Sequence, residues 1–335
     1  MSQSKKKRTD NRSVEKTPSP KAADKDRKGR RTGFIIASLV IVVILIIVGV
    51  FYYLSEDARY RRLTVITVDD ISIDMGYFLK RAQLAGADPI TMLTTLTNEQ
   101  LIKLEAPQYG IEVSPEDIDQ GLRRIARGES DTISESEFRE WYRQQLNESG
   151  LSDSEYKENM RTGLLTARLH QYLAERMPTV AEQRHVHIIL LETSKEAEKT
   201  RARWEAGEDF TDLAREVSLD AQTKEKGGDL GWFPRGVLMP GLDYVTFKLS
   251  PGDVSEPIPY ASDPSSIEAE AFFLLMVSEK ADARELDEAS LQVLRSKVLE
   301  DWLLEEIQFH EVSYHGLNNG FDSETNAWIN WQLSK

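Results

Sequence analysis

The apolar positions of the chain change pattern once, from an uninterrupted run to the spaced positions of amphipathic elements. The run covers residues 34–54, which carry no charge and consist mainly of Ile, Val and Leu. A helix of roughly 20 apolar residues crosses the hydrocarbon core of a bilayer, whereas a cleavable signal peptide has roughly 7–15. Tyr52 and Tyr53 stand where an interfacial aromatic belt would place them. The pattern predicts a single transmembrane helix.

After this run, short alternating segments give way to helical periodicity. Residues 63–68 and 71–73 alternate and are rich in β-branched side chains, which predicts two strands. Asp69 and Asp70 between them have the composition of a turn. The following residues, up to about position 180, are expected to be mostly helical because their apolar positions recur at steps of three and four.

Helix start signals divide this helical part. Asn98 is the predicted cap of one helix, which Pro107 should end or kink. Ser114-Pro115 predicts a second start, and Ser152 with Glu155 has the spacing of a capping box at a third. The apolar face of the third helix comprises Tyr156, Met160, Leu164, Leu165, Leu169 and Leu173. Helical spacing predicts a core position for these residues, with a binding groove as the alternative.

Residues 181–280 predict an α+β fold. Thr193 with Glu196 is a helix start, and Gly207 ends that helix. The predicted elements are strand 184–191, helix 194–206, helix 210–217, strand 229–233, helix 240–248 and strand 271–278. Beyond them, Leu291, Leu294, Val298 and Trp302 recur at steps of three or four, which predicts an amphipathic helix over residues 288–309.

The charges support a division at the membrane. Residues 1–31 hold 12 Lys/Arg and 4 Asp/Glu, so of the chain totals of 42 and 56, the rest holds 30 basic and 52 acidic residues. A basic flank stays in the cytoplasm by the positive-inside rule, and an acidic body disfavours nucleic acid as a partner. The chain has no cysteine, which excludes disulfides, a thiolate nucleophile and a lipid-modified cysteine anchor within it.

One stretch is punctuated by glycine: Gly227, Gly228 and Gly231 lie within the sequence GGDLGWF. The order of motifs around it is HIIL at 187–190, FTDLAREVSLD at 210–220, GGDLGWF at 227–233, Met239-Pro240, FKLSPGDVS at 247–255 and EPI at 256–258. From Gln183 to Val277 the chain thereby resembles the parvulin-type peptidyl-prolyl isomerases. The resemblance implies an antiparallel sheet flanked by helices and isomerisation of X-Pro bonds without a cofactor.

The resemblance also implies a site. It places catalytic roles on His187 and Asp220, and a proline pocket on Leu230, Leu238 or Met239, Leu242, Phe247 and Phe273. Two positions depart from the family pattern: Phe273 stands where the family has a second histidine, and Leu242 replaces an aromatic pocket residue. A polar loop at 260–270 is also longer than usual. Activity is therefore expected to be weakened or lost, with peptide binding retained.

Other interpretations of these residues stay open. His187 on an apolar strand is alternatively a hydrogen-bonded core histidine, and Asp220 alternatively braces its loop. His185 and His187 are two residues apart, a spacing that some zinc sites use. The remaining histidines form no ligand motif, so no metal site is predicted.

The helical part resembles the N-terminal domain of the SurA, PrsA and PpiD families of extracytoplasmic chaperones. The matching segments are Val65–Ile73, Leu101–Ile111, Val113–Ile118 and Gly150–Leu173. In those families this domain holds unfolded polypeptide and is completed by a helix that follows the isomerase domain, which residues 288–309 fit. The predicted organisation is a disordered basic cytoplasmic tail (1–33), a transmembrane helix (34–54), a helical chaperone domain (55–180), a parvulin-like domain (181–280) and a C-terminal helix and tail that pack on the helical domain (281–335).

The sequence thus predicts an α+β, single-pass, membrane-anchored extracytoplasmic foldase with parvulin-type isomerase activity. Its expected partners are unfolded or exported polypeptides that contain X-Pro bonds, and the membrane. The alternative is a non-catalytic chaperone or assembly scaffold with a degenerate isomerase domain. No cofactor is expected, and the oligomeric state is not predicted.

Overall fold

The computed structural model describes residues 38–52, 56–262, 268–316 and 322–334. The helices are α1 (residues 38–52), α2 (Glu56–Arg61), α3 (Met75–Ala85), α4 (Pro89–Glu105), α5 (Pro115–Arg127), α6 (Glu135–Ser149), α7 (Asp153–Glu175), α8 (Ser194–Glu205), α9 (Phe210–Val217), α10 (Pro240–Thr246), α11 (Glu288–Glu306) and α12 (Ser323–Leu333). The strands are β1 (Thr64–Val68), β2 (Ile71–Asp74), β3 (Val180–Leu191), β4 (Asp229–Pro234), β5 (Ile258–Tyr260), β6 (Ala271–Glu285) and β7 (Val312–Tyr314). The described residues divide into two compact units: one runs up to Val65 and adds 72–85 and the residues from 315 onward, and the other comprises 66–71 and 86–314.

In the first unit, α1 covers the described part of the predicted transmembrane helix. Its large apolar side chains expose half or more of their surface. The rest of the predicted span, residues 34–37, 53 and 54, and the predicted disordered tail (1–33) lie outside the described residues. Among the helices described, none combines the length and the apolar character needed to cross a membrane.

The remainder of this unit is built by α2, α3 and α12. The rings of Tyr60 and Trp328 lie 5.1 Å apart, and the guanidinium of Arg61 lies 5.9 Å from the centre of the Trp328 ring. The side chain of Gln83 donates to the Gln332 carbonyl at 2.8 Å. The C-terminal residues therefore form an ordered helix that packs on α2 and α3, an element that the sequence pattern did not predict.

In the second unit, the start of α4 corrects the predicted cap at Asn98. The helix begins nine residues earlier, at Pro89, and the carboxylate of Asp88 accepts hydrogen bonds from the backbone N–H groups of the first turn. Asn98 lies inside the helix. The first turns are rich in threonine, which lowers helix propensity. The structure satisfies these hydroxyls internally, since Thr95 and Thr97 each donate to the carbonyl four residues earlier at 2.8 Å.

The other predicted starts are confirmed. Ser114, Ser152 and Thr193 each form a capping box with the residue three positions later, at the beginnings of α5, α7 and α8. The pattern missed α6, which also begins with a capping box but buries only Phe138. The signals were present in the sequence, since Ser134 and Glu137 have capping-box spacing and Phe138, Trp141 and Tyr142 recur at helical steps.

The helical part of the second unit shares one apolar core. Its buried members are Ile102, Ala106, Ile111, Val113, Ile118, Leu122, Phe138, Leu165 and Leu169. α11 closes this core: Trp302 packs against it and donates its indole N–H to the Tyr109 hydroxyl at 3.1 Å. A ring nitrogen of His170 on α7 lies 2.9 Å from the Arg295 carbonyl on α11. The returning helix predicted over residues 288–309 is therefore confirmed as an element, with its last turn a 3₁₀ helix.

The end of this unit is held by a short strand and a partly buried histidine, His310. β7 pairs antiparallel with β1, for example Val312 with Val68. Nδ1 of His310 lies 2.7 Å from a carboxylate oxygen of Asp69. Burial lowers the pKa of His310, but the hydrogen bond and charge of Asp69, with the charges of Glu105 and Glu306, outweigh it and raise the pKa above its usual value. The same hydrogen bond lowers the pKa of Asp69, so both groups stay charged over a wider pH range.

Strands β4, β3, β6 and β5 form an antiparallel sheet in this order. One face packs against α8 and α9 through Ile189, Leu191 and Leu274. The other face packs against α10 through Val186, Ile188, Leu275 and neighbours. We call these the α8–α9 face and the α10 face. The arrangement confirms the predicted antiparallel sheet flanked by helices.

Candidate active site

The site is organised by residues 227–233, which we call the glycine loop: Gly227 and Gly228 precede β4, and residues 229–233 belong to it. The Gly228 carbonyl accepts a hydrogen bond from the backbone N–H of Ile188 at 2.9 Å, and its own N–H donates to the Thr223 carbonyl at 2.9 Å. A Cβ on Gly228 would lie 2.3 Å from the Ile188 carbonyl oxygen, and φ is +76°. Only glycine combines this φ with so close an approach of two backbones.

His187 is buried in the middle of β3, a central strand of the sheet. Its Nδ1 lies 3.3 Å from the Gly227 carbonyl oxygen. Because Val186 and Ile188 point to the α10 face, the alternation of a strand directs His187 to the α8–α9 face. His187 therefore contacts the start of the glycine loop from the α8–α9 side of the sheet.

Asp220 lies at the other end of the same loop region, after α9. Its carboxylate accepts hydrogen bonds from the Thr223 backbone N–H at 3.2 Å and from the Thr223 hydroxyl. Thr223 in turn accepts the Gly228 N–H through its carbonyl. Within the described residues no hydrogen bond joins Asp220 to His187. The two residues instead contact the start of the glycine loop separately, His187 at Gly227 and Asp220 at Gly228 through Thr223.

The predicted pocket residues lie mainly on the α10 face. Leu238, Leu242 and Phe273 are buried in one apolar cluster, and Leu230 of the glycine loop packs against it. The Phe273 ring lies 5.4 Å from the ring of Tyr260, edge to face. Phe273 thus fills an apolar position and makes an aromatic contact, which the sequence did not reveal because the contact joins two strands, β5 and β6. We call these five residues the apolar cluster.

Met239 and Phe247 lie outside the buried part of the cluster. Met239 is 45% exposed. The Phe247 ring is half-buried and lies between two guanidinium groups, 4.2 Å from Arg235 and 5.2 Å from Arg184. Cation–π contacts of this kind hold an aromatic ring in place. Neither arginine was singled out from the sequence, which has no local signal for a contact between β3 and the end of α10.

The structure therefore brings the predicted site residues together as two groups rather than one. Leu230, Leu238, Leu242 and Phe273 meet on the α10 face. His187 points to the opposite face. The glycine loop connects the groups, since it contacts His187 through Gly227 and supplies Leu230 to the cluster. The register of β3 decides this division, and sequence resemblance alone does not report it.

A second concave feature lies in the helical part, between α5, α6 and α7. The cavity has a volume of about 410 Å³. Its apolar lining includes Ile118, Leu122, Phe138 and Tyr142, and its charged residues include Asp119, Lys157, Glu158 and Arg161. A mainly apolar lining with a few charged groups is typical of ligand-binding pockets.

Two groups of side chains in the described part of the chain have ligand atoms close enough to share one cation. They are His185 with His187 and Asp229, and Glu105 with Glu306 and His310. His310 is already engaged by Asp69. The first group includes Asp229 of the glycine loop, a carboxylate that the spacing of the histidines did not predict.

Comparison with known proteins matches the segment from the end of β3 to the residues before β6 to a family of isomerase domains. The Rotamase family, described as a PPIC-type PPIASE domain, matches residues 190–269. A foldase protein PrsA from Caldanaerobacter subterraneus subsp. tengcongensis is 30% identical over 170 residues, which are 50% of this chain and 52% of that protein. Foldase protein PrsA 2 from Bacillus anthracis is 24% identical over 269 residues, covering 78% of this chain and 82% of that protein.

A comparison with solved structures also returns similar chains. The crystal structure of a peptidylprolyl isomerase (PrsA) from Bacillus cereus is 17% identical, with a TM-score of 0.39, and covers 82% of this chain and 92% of that one. The chain spans about half the length of the Caldanaerobacter relative and of an Oceanobacillus iheyensis relative that it matches. The family match confirms the predicted resemblance: the chain contains a PPIC-type peptidyl-prolyl isomerase domain of the parvulin type.

Proposed function

We propose that this protein is an extracytoplasmic foldase that isomerises X-Pro bonds in unfolded, exported polypeptides. The match of residues 190–269 to the PPIC-type isomerase domain carries the proposal. The names of the relatives, foldase proteins PrsA, support the same role. The domain acts as one part of a chain whose helical core provides a second surface for polypeptide.

The chemistry requires no covalent step. Rotation about the X-Pro bond is opposed by amide resonance, a barrier of about 18–20 kcal/mol. A dry apolar surface that binds the proline ring and shields the amide favours the twisted bond over the planar one. The apolar cluster on the α10 face, with the exposed Met239 beside it, supplies that surface.

In this proposal His187 and Asp220 act as positioning residues. His187 donates a hydrogen bond to the Gly227 carbonyl, and Asp220 accepts one from Thr223. The Thr223 carbonyl in turn accepts the N–H of Gly228. Together they fix the backbone that carries Leu230 into the apolar cluster. This role needs no second histidine, so Phe273 is compatible with catalysis because it serves the apolar surface.

The helical core holds unfolded polypeptide in this proposal. Residues 55–180 form the chaperone domain, 181–280 the isomerase domain, and 281–335 the helix and tail that complete the former. The cavity of about 410 Å³ between α5, α6 and α7 has the apolar lining that such holding requires. The contacts of α11 with α7 and Tyr109 support the assignment of the returning helix to this domain.

The anchor is residues 34–54, with residues 1–33 in the cytoplasm and the body outside it. The uncharged run and the basic flank support this assignment. We expect the full chain to remain in the membrane pellet after alkaline carbonate washing, and a variant without residues 34–54 to be released. Release of the full chain by carbonate would contradict a transmembrane anchor.

Protease digestion of intact cells or spheroplasts from outside should remove the body and spare the tail.

The direct test of function uses the full-length chain purified in mild detergent. We expect it to accelerate cis–trans exchange in unphosphorylated X-Pro peptides, measured by NMR exchange spectroscopy, and to suppress aggregation of a chemically denatured protein. Suppression without accelerated exchange would establish the non-catalytic scaffold instead, which the replacement of the second histidine by Phe273 favours. Accelerated exchange without suppression would refute the holding role of the helical core.

A further inference from the structure

Three side chains near the glycine loop have the donor set of a metal site. His185 and His187 are on β3, and Asp229 is the residue paired with His187 on β4. Each offers one ligand atom, and these atoms lie within 4.8 Å of one another. The two imidazole rings are 5.1 Å apart and nearly perpendicular. Imidazole nitrogen and carboxylate oxygen are ligands of zinc and of other first-row transition metals.

The hydrogen bonds of His185 allow Nε2 to bind a cation. Its Nδ1 lies 2.8 Å from the Ser278 hydroxyl oxygen. The same hydroxyl lies 3.3 Å from the His185 carbonyl oxygen, to which it can donate while its own oxygen accepts from Nδ1. In the tautomer that makes this pair of hydrogen bonds, Nδ1 carries the proton and Nε2 of the neutral ring has a lone pair. The ring also stacks on Trp232 with the centres 5.2 Å apart, which fixes its plane.

His187 is held in the same tautomer by a different partner. Its Nδ1 lies 3.3 Å from the Gly227 carbonyl oxygen, a group that can only accept. Nδ1 therefore donates, and Nε2 of the neutral ring has its lone pair available. Metal-binding histidines commonly donate their other ring N–H to a carbonyl or a polar side chain, which orients the ring. Both histidines show this outer hydrogen bond.

Asp229 completes the set with an oxygen that lacks a hydrogen bond. Its Oδ1 is buried and has no hydrogen-bond partner among the described residues. It lies 3.1 Å from Nε2 of His185. This contact is an ion pair or hydrogen bond when Nε2 carries a proton. In the Nδ1–H tautomer both atoms present lone pairs across the same distance, an arrangement that a cation bound between them stabilises. Two ligands bound to one zinc ion at about 2.0–2.2 Å are about 3–3.5 Å apart.

We propose that His185, His187 and Asp229 bind a divalent first-row transition-metal cation, with Zn²⁺ as the probe. The cation takes Nε2 of both histidines and Oδ1 of Asp229. Because the Asp229 side chain is 41% exposed, the site is reached from solvent and retains a position for water. The Nδ1 bonds of both histidines remain in place, so the site adds to the proposed isomerase and does not depend on its activity.

The test measures Zn²⁺ binding to the full-length chain in detergent, by competition with a chromophoric chelator of known affinity. We expect one bound Zn²⁺ per chain. His185→Ala should weaken binding at least about 100-fold, and Ser278→Ala, which removes only the outer hydrogen bond, about 10-fold or more. The control is His170→Gln, which leaves this cluster intact and should bind as the wild type does.

Two results would overturn the proposal. One is no binding to the wild-type chain at 1 equivalent of Zn²⁺ in the low-micromolar range, about the affinity expected of an open three-ligand site. The other is equal affinity of the wild type and His185→Ala, which would place the ion elsewhere. If His185→Ala is unfolded by circular dichroism, the folded Ser278→Ala variant decides, since unchanged affinity in it contradicts the assigned tautomer. None of these readouts uses isomerase activity.

Discussion

Replacing Gly228 by alanine is expected to lower the free energy of unfolding of the isomerase domain by about 3 kcal/mol or more. The new Cβ would lie 2.3 Å from the Ile188 carbonyl oxygen and 3.2 Å from the Ala214 Cβ. The first neighbour is backbone of a central strand, so the loop must move away and lose its hydrogen bond from the Ile188 N–H. Hydrogen–deuterium exchange of residues 183–191 as a function of urea measures the loss.

Gly231→Ala is the matched control in the same loop. Gly231 also has a positive φ, +102°, but a Cβ there meets nothing within 4 Å. It should show only the backbone strain of an L-residue at positive φ, about 1–2 kcal/mol. Equal destabilisation by both substitutions would show that positive φ alone accounts for the glycines, and that the contact between Gly228 and β3 contributes nothing.

His187→Ala is expected to lower kcat/KM for X-Pro isomerisation about 100-fold, as misplacement of a site by about 1 Å does. The substitution removes the donor to the Gly227 carbonyl and frees the loop that carries Leu230. His187→Asn should retain most of the activity, because the asparagine amide nitrogen occupies a position close to Nδ1 and donates to the same carbonyl. The assay is NMR exchange on X-Pro peptides with the full-length chain.

Suppression of aggregation serves as the control for both His187 variants. The helical core that we assign to holding lies outside the loop, so suppression should match the wild type in both variants. Equal loss of isomerisation in His187→Asn and His187→Ala would show that the imidazole acts on the substrate itself, and would reject the positioning role. Loss of isomerisation and suppression together, with a changed circular dichroism spectrum, would make His187 a residue of the fold only.

Much of the fold was predictable because the signals are local. Capping boxes at Ser114, Ser152 and Thr193 mark helix starts through hydrogen bonds within one turn, and all three were confirmed. The starts of β4 and α10 and both ends of α9 agree with the predicted bounds. Two local signals were passed over: Asp88-Pro89 has the same cap-and-proline pattern as Ser114-Pro115, and Ser134 with Glu137 has the spacing of a capping box.

Strand ends were harder to predict because their signal is not local. β3 and β6 extend to Val180 and Glu285, beyond the predicted bounds, and pair with each other there. These extensions carry polar and exposed side chains, so no apolar alternation marks them. Backbone hydrogen bonds between distant segments decide where such a ladder ends.

The sequence by itself determined the isomerase family, the antiparallel sheet with flanking helices and the identity of the glycine loop. These follow from ordered motifs and from residues whose backbone preferences are their own, glycine above all. Only the tertiary structure decided which face of the sheet each site residue occupies. It placed His187 opposite Phe273 and brought Asp229 beside His185. The physical reason is the two-residue period of a strand: the register of pairing, set by contacts across the whole sheet, assigns every side chain to a face.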